Sequence, residues 1–394
     1  MLRVLCLDIE GGFGGSSRSL FQSVKNLDRS VVSPEVWCAK DGPIVARYRD
    51  CGVPVRVMPD MPRFIALPRL SRNLYTLLLY GRAWMRSGDF RRALLKRASE
   101  VDLIHLNHEA LFGVAYFLKK LHATPRTMHI RTNLVDTIFA RRQLSLAARS
   151  VDGLVFITDN EETTFRRYTD GAPLPPYAVV HNIAEPLPKT SPHPGIPQDG
   201  RLVVGCVSNY SWTRGVDRVV DLAASVKATG RRDVVFVVAG QMSLSRSLPG
   251  ELGEVARQGG DLSDYAKLKG VGDSIVFLGH VAEPERVYAG IDLLVKPTRE
   301  SNPWGRDVIE ALAAGRPVFS IGTYERFVQS GETGYLQSDF DAYDMAAQIL
   351  DIASNRDLLH DMGTRAKDRI RRLCSGPERA QELADFWMRI AHRA

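Results

Sequence analysis

Apolar residues in this chain come in short unbroken runs, each separated from the next by a longer stretch with helical spacing. In the first half the runs are "LRVLCLDI", "PEVWCAK", "VPVRVM", "VDLIHLN", "RTMHIR", "VDGLVFIT" and "YAVVHN". Short apolar runs without polar alternation fit strands buried on both faces of a parallel sheet, and the helical patterns between them fit βαβ units. Residues 186–200 then hold five prolines, the composition of a linker. After it the alternation restarts with "RLVVGCVS", "DVVFVVAG", "SIVFLGH", "IDLLVKP", "RPVFSIG" and "GYLQ". The pattern predicts an α/β chain with a first domain at 1–185, a linker at 186–200 and a second domain at 201–376. A closing amphipathic helix, about 377–394, is expected to pack back on the first domain. Two such sheets place a ligand cleft between the carboxyl ends of their strands.

Composition narrows this only a little. A length of 394 residues suits two domains, and 44% hydrophobic with 25% charged residues is ordinary for a water-soluble globular protein. No apolar stretch approaches the roughly 18 residues that span a bilayer. The first strand is interrupted by Asp8 and lacks a basic leader, so no signal peptide is expected. The five scattered cysteines show no paired or zinc spacing, which points to reduced thiols and a cytoplasmic protein.

Charge changes the picture more. The net charge is +7, and residues 61–97 account for it: Arg63, Arg69, Arg72, Arg82, Arg86, Arg91, Arg92, Lys96 and Arg97 stand against Asp89 alone. In "LSRNLYTLLLYGRAWMRSGDFRRALLKRA" these cations alternate with Leu, Tyr, Trp and Phe. An interfacial helix needs that pairing, so an anionic membrane surface is the expected partner, with the protein peripheral at the inner face of the membrane. No recognised nucleic-acid module accompanies the charge, and no nucleic acid is expected.

The candidate chemistry lies mostly in "KPTRESNPWGRDVIEALAAGRPVF". Asn302 reads as an N-cap, Pro303 as the first helical residue, and Val308, Ile309 and Leu312 as the buried stripe. Glu310 lies off that stripe and is expected to point into the cleft. The backbone N–H groups at Gly305, Arg306 and Asp307 would meet a phosphate at the positive end of the helix. Arg214, beside a second helix start, can grip an anion. The loop "GGFGGSSRS" at 11–19 opens a third helix but fits the dinucleotide fingerprint poorly. His129 ends a strand and is expected to face the cleft near Arg131. The sequence shows no Ser-His-Asp order, zinc motif or strand-end carboxylate pair, so no metal is expected.

In this order the pieces resemble the GT-B glycosyltransferases, specifically the large retaining group often called GT4. The strongest stretch is 276–336, "VFLGHVAEPERVYAGIDLLVKPTRESNPWGRDVIEALAAGRPVFS…GETGYL", and "GVDRVVDLAASVK" and "VVHN" also fit. The resemblance implies two Rossmann-like domains facing across a cleft. It also implies transfer of a sugar from an NDP-sugar donor to a glycan or lipid-linked acceptor, without cofactor or metal. By the same resemblance Glu310 binds the ribose, and the family's diphosphate arginine and lysine fall on Asn209 and Arg214. Trp304, Gly305, Arg306 and Asp307 line the donor, Gly14 and Gly15 form the glycine-rich loop, and His129 is the active-site histidine. Nine residues separate Glu300 from Glu310, two more than the family pattern, so the first-glutamate role falls to Glu300 or to Asn302. That spacing and Asn209 also leave a catalytically weak partner subunit as an alternative. A GT-B nucleotide-sugar epimerase is a further one, and the "EALAAG" run argues against it.

Overall fold

The computed structural model describes residues 1–12, 14–64, 74–132, 136–169, 171–300 and 302–393, the side chains of 74–76 excepted. The chain divides into two compact units, Met1–Ile183 with Gly376–Ala394, and Ala184–Ser375.

Among the described residues the first unit holds a seven-stranded parallel sheet, in the order β3-β2-β1-β4-β5-β6-β7. Its strands are β1 Leu2–Asp8, β2 Val32–Cys38, β3 Val55–Val57, β4 Leu103–Leu106, β5 Arg126–Ile130, β6 Gly153–Phe156 and β7 Tyr177–Val179. The helices of this half are α1 Gly15–Asn26, α2 Pro43–Asp50, α3 Leu74–Arg86, α4 Gly88–Ala98, α5 Phe112–Leu121, α6 Ile138–Ser150 and α7 Asp159–Tyr168. Successive residues of a strand point to opposite faces, and here both faces are covered. Leu5, Leu7, Trp37, Ile104 and Met128 pack with residues of α4, α5 and α6 on one side. Val4, Cys6, Val36 and Leu103 pack on the other with α1, α2 and the final helix, which contributes Phe386, Trp387 and Ile390. That helix belongs to this unit, as its aromatic stripe requires.

The second unit repeats the plan with a six-stranded parallel sheet, in the order β10-β9-β8-β11-β12-β13. The strands are β8 Leu202–Val207, β9 Val234–Ala239, β10 Ile275–Gly279, β11 Leu293–Lys296, β12 Val318–Ile321 and β13 Gly334–Gln337. Its helices are α8 Arg218–Ala228, α9 Gly250–Arg257, α10 Leu262–Leu268, α11 Pro284–Gly290, α12 Arg306–Ala313, α13 Ala342–Ser354 and α14 Arg356–Leu373. The last helix of the chain, α15 Gly376–Ala391, is the one returned to the first unit. Twelve of the thirteen apolar runs picked out in the sequence contain one of these strands, and "PEVWCAK" overlaps β2, which starts two residues earlier.

Two expectations fail. The proline-rich stretch 186–200 is not a free connector but part of the second unit. His193 donates its backbone N–H to the Arg286 carbonyl at 3.0 Å, and Ile196 is buried. Proline fixes the backbone without supplying donors, and one buried isoleucine with a few backbone bonds suffices to hold the segment down. The glutamate-bearing helix also starts later than expected, at Arg306, with Gly305 rather than Asn302 at its cap. Trp304 is drawn into the interior against Phe327, with ring centroids 5.2 Å apart, and 302–304 stay outside the helix.

Candidate functional site

In both sheets the strand order reverses direction beside the first strand of the unit, between β1 and β4 and between β8 and β11. Loops leaving the carboxyl ends of such a pair diverge and open a crevice. In the second unit those loops are 208–217 and 297–305, and they hold the sequence candidates Asn209, Arg214, Glu300, Asn302 and Gly305.

The two loops are tied to each other. Arg299 donates its backbone N–H to the Thr213 carbonyl at 2.8 Å, and its guanidinium forms a fork on the Asp217 carboxylate while lying 3.7 Å from the Trp212 ring centroid. Arg218 reaches back to the carbonyls of Pro297 and Thr298 at 3.2 and 2.7 Å. Gly215 makes the crossing possible. Its φ is +64°, and a Cβ there would lie 2.1 Å from the Pro297 carbonyl oxygen, so no other residue fits without displacing backbone.

Around this framework charges collect. Arg214 is exposed and donates to the Ser208 hydroxyl at 3.2 Å. Lys296, the last residue of β11, lies 3.2 Å from the Asp307 carboxylate in the first turn of α12. Burial pushes the Cys206 thiol on β8 up to about 12, and Asp307 adds to the rise while Lys296 and Arg214 oppose it. Arg214 follows Thr213, which is bound to the loop after β11, and the Lys296–Asp307 pair closes the end of that strand. Among the described residues the helix α12 has no side-chain cap, and its first N–H groups point at the same region.

Glu310 does not point outward. It is 6% exposed, with its carboxylate 3.1 Å from the Arg306 guanidinium and 3.3 Å from the Tyr288 hydroxyl. One turn separates Arg306 from Glu310, so the pair spans neighbouring positions of one helix face, and the cost of burying a carboxylate selects that arrangement over an unpaired one. Asn209 is also engaged, its side-chain oxygen accepting the Gln241 N–H at 2.9 Å. Glu300 is exposed, Asn302 is half-buried with a side-chain oxygen that finds no partner among the described residues, and Trp304 packs inward. The structure thus brings Arg214, Gly305, Asp307 and Lys296 to one edge. Lys296 was missed in the sequence, although a lysine closing an apolar strand was the available signal.

The first unit's edge is built differently. Asp8 ends β1 and accepts from the Asn107 side chain at 3.3 Å. The Arg131 guanidinium donates to the side-chain oxygens of Asn107 at 2.6 Å and Asn182 at 3.0 Å. Its backbone N–H meets Glu109 at 2.9 Å, and the Thr132 hydroxyl donates to the same carboxylate. His108 sits beside this network, with Nδ1 3.4 Å from the Glu109 carboxylate. Burial pushes Asp8 up to about 6, against the pull of the Asn107 bond and the Arg131 charge. Gly14 and Gly15 open α1 at this edge, with no side-chain cap.

His129 is not at the edge. It lies inside β5, 2% exposed, and its ring stands 5.7 Å from that of His105, which in turn lies 5.0 Å from Trp387. Neither of its ring nitrogens has a hydrogen-bond partner among the described residues. Burial, with Arg131 nearby, holds it well below the usual histidine range and so neutral. Strand alternation turns His129 toward α15, whereas Arg131, two residues on and past the strand end, is free of the pleat. The polar histidine of this edge is His108, signalled in the sequence by "HLNHE" after an apolar strand.

Two Rossmann-like parallel sheets, each with polar chemistry at its reversal point, define the GT-B glycosyltransferase architecture. The profile of the glycosyl transferases group 1 family matches residues 190–369, and that of the glycosyl transferase 4-like domain matches residues 14–183. The chain belongs to the group 1, GT4-like glycosyltransferases and is a transferase enzyme. It is 25% identical to a 2-deoxystreptamine glucosyltransferase of Streptomyces kanamyceticus over 65% of this chain and 68% of that protein. It is 28% identical to a phosphatidyl-myo-inositol mannosyltransferase of Mycolicibacterium smegmatis over 45% of this chain and 42% of that protein. Anabaena HepE, solved in complex with UDP and glucose, superposes with a TM-score of 0.74 at 21% identity, over 99% of this chain and all of HepE.

Proposed function

We propose that the chain is a retaining glycosyltransferase that binds a nucleoside diphosphate sugar on its second unit and passes the sugar to a glycan or lipid-linked acceptor. The observation that carries this reading is the start of α12, without a side-chain cap among the described residues, set at the β8–β11 reversal with Lys296 on its first turn and Arg214 in the facing loop. Backbone N–H groups at Gly305–Asp307 and the Arg214 guanidinium would hold the diphosphate. Glu310 would take the ribose hydroxyls: Arg306 and Tyr288 orient its carboxylate, which has about four acceptor positions to share. Glu300, which is exposed, or Asn302, with its unpartnered oxygen, would hold the transferred sugar. The diphosphate leaves as charge builds on its bridging oxygen, and the cations and helix end are already aimed at that charge, which is the work a metal would otherwise do. Acceptor binding is assigned to the first unit's edge, where His108 and Glu109 lie, and His129 is left as a core residue. The HepE complex and the inositol-lipid name of the mycobacterial relative support a nucleotide-sugar donor and a lipid-linked acceptor.

Calorimetric titration with UDP, GDP and ADP tests the donor half. One diphosphate should bind, and Arg214→Ala should weaken it about tenfold or more, as loss of a charged hydrogen bond does. Turnover of the matching sugar nucleotide should survive excess EDTA and yield a product whose NMR coupling shows the donor's anomeric configuration. A folded chain that binds none of the three diphosphates would remove the reading; binding without turnover would favour a partner subunit.

A further inference from the structure

The helix α3 carries apolar side chains on the side where a surface helix is normally polar. Leu77, Leu78 and Met85 are 59, 64 and 75% exposed, and Leu79 is exposed beside them. At helical spacing Leu78, Arg82 and Met85 share one face, with Arg86 at its margin and Leu77 and Leu79 at either side. The opposite face is already used. Tyr80 packs edge-on to Phe64 and against Phe139, and Trp84 packs edge-on to Phe117. The helix is therefore anchored by its aromatics and turns its leucines and methionine outward. Tyr116 and Ile138, neighbours in sequence of the anchoring Phe117 and Phe139, are exposed as well.

The cations of 61–97 sort themselves in the fold. Arg63 turns in to the Ile9 carbonyl, Arg91 lies over Trp84, Arg92 pairs with Asp89, and Arg97 is held between Glu35 and Glu100. Arg69 and Arg72 lie outside the described residues. Arg82 and Arg86 are exposed and have no ion-pair partner among the described residues; both stand beside the outward leucines. No described helix is long and apolar enough to cross a membrane.

We propose that α3 is an interfacial helix that seats the first unit on an anionic lipid bilayer, its leucines and Met85 in the acyl boundary and Arg82 and Arg86 on the phosphates. Aliphatic side chains on the outer face, bordered by cations alone, match what an interfacial helix requires. A second copy of the chain is a poorer occupant, because a two-fold contact would bring Arg82 and Arg86 against their own counterparts. Nucleic acid is poorer still, because its phosphates could meet Arg82 and Arg86 but offer nothing apolar to cover the exposed leucines and Met85. The inference adds a surface to the proposed enzyme and does not rest on its donor or acceptor.

The test is co-sedimentation of the whole chain with vesicles of phosphatidylcholine alone or mixed with phosphatidylglycerol. Binding should rise with the anionic fraction and fall with salt. Arg82→Ser and Arg86→Ser should each weaken it about fivefold. The double variant Leu78→Ser with Met85→Ser should abolish it at every lipid composition. Both residues are exposed, so thermal unfolding of the double variant should match the parent and show that lost binding is not lost folding. Equal recovery in the supernatant with both vesicle types at low salt would overturn the proposal. So would binding that the double variant leaves intact. A concentration-dependent dimer in gel filtration, dissolved by the double variant in a chain that ignores vesicles, would assign the face to a second copy instead.

Discussion

The two units share a strand order and place polar groups at the same topological point, yet they satisfy those groups differently. At the second unit's edge charge answers charge: Arg299 with Asp217, Lys296 with Asp307, Arg306 with Glu310. At the first unit's edge amides, hydroxyls and backbone N–H groups dominate, as where Arg131 is held by Asn107 and Asn182, and Glu109 by Thr132 and the Arg131 N–H. Elsewhere in that unit His105 and Glu161 are buried as well, with His105 drawn down to about 3 and Glu161 pushed up to about 7, burial being the main cause of both. A shared topology fixes where a site can form; the side chains decide whether it responds to a missing partner or to pH.

The largest expected effect comes from breaking a pair in the second unit. Glu310→Ala takes its carboxylate partner from the half-buried Arg306 guanidinium, and breaking a largely buried pair costs up to about 3–5 kcal/mol. Thermal unfolding should show the drop, and nucleotide affinity should fall as well. Replacing both residues by leucine removes both charges of the pair and should restore most of the stability without restoring nucleotide binding. If the double variant recovers both, Glu310 is structural only.

Titration tests the first unit. Asp8 has a folded pKa of about 6 against an ordinary value of 3.8, so the fold favours its protonated form. The stability this contributes is fully present below the ordinary value and is lost as pH rises through about 6. Asp8→Asn, which keeps an acceptor for Asn107, should therefore raise stability at pH 8 by about 2–3 kcal/mol and change little at pH 4. His105 works in the opposite direction. It stays neutral in the fold, so stability is whole above its ordinary 6.5 and is lost as pH falls toward about 3. Denaturant unfolding should find the two slopes offsetting each other between about pH 4 and 6, and a gain from Asp8→Asn that is equal at both pH values would contradict the assignment.

The smallest expected effect probes the backbone under the second unit's edge. Gly215→Ala forces a side chain into positive φ and against the Pro297 carbonyl, at about 1–3 kcal/mol. Because this glycine sets the spacing of the two loops, nucleotide binding should weaken with stability. A loss of stability with unchanged affinity would mean that Arg214 is not positioned by the turn.

The strand runs, the two-unit plan, the closing helix and the family were legible in the chain because they depend on local pattern: apolar runs of strand length, helical spacing between them, and short motifs in order. That Gly305 and Asp307 stand close to a helix start was legible for the same reason, since a helix start and its glycine are neighbours in sequence. What pattern could not carry was direction. His129 and Arg131 are two residues apart, but the pleat ends between them, so one is core and the other reaches the edge. Glu310 was read as outward because it lies off the apolar stripe, whereas Arg306 and Tyr288 supply the partners that let it be buried. Lys296 acquired its place only when β11 was set beside β8 and α12 was folded over its end. The pairing of apolar residues with cations along α3 was legible, but not which of its apolar side chains face outward. Composition and spacing determined which elements form; only packing, by filling one face with Tyr80 and Trp84, decided which face was left for a partner.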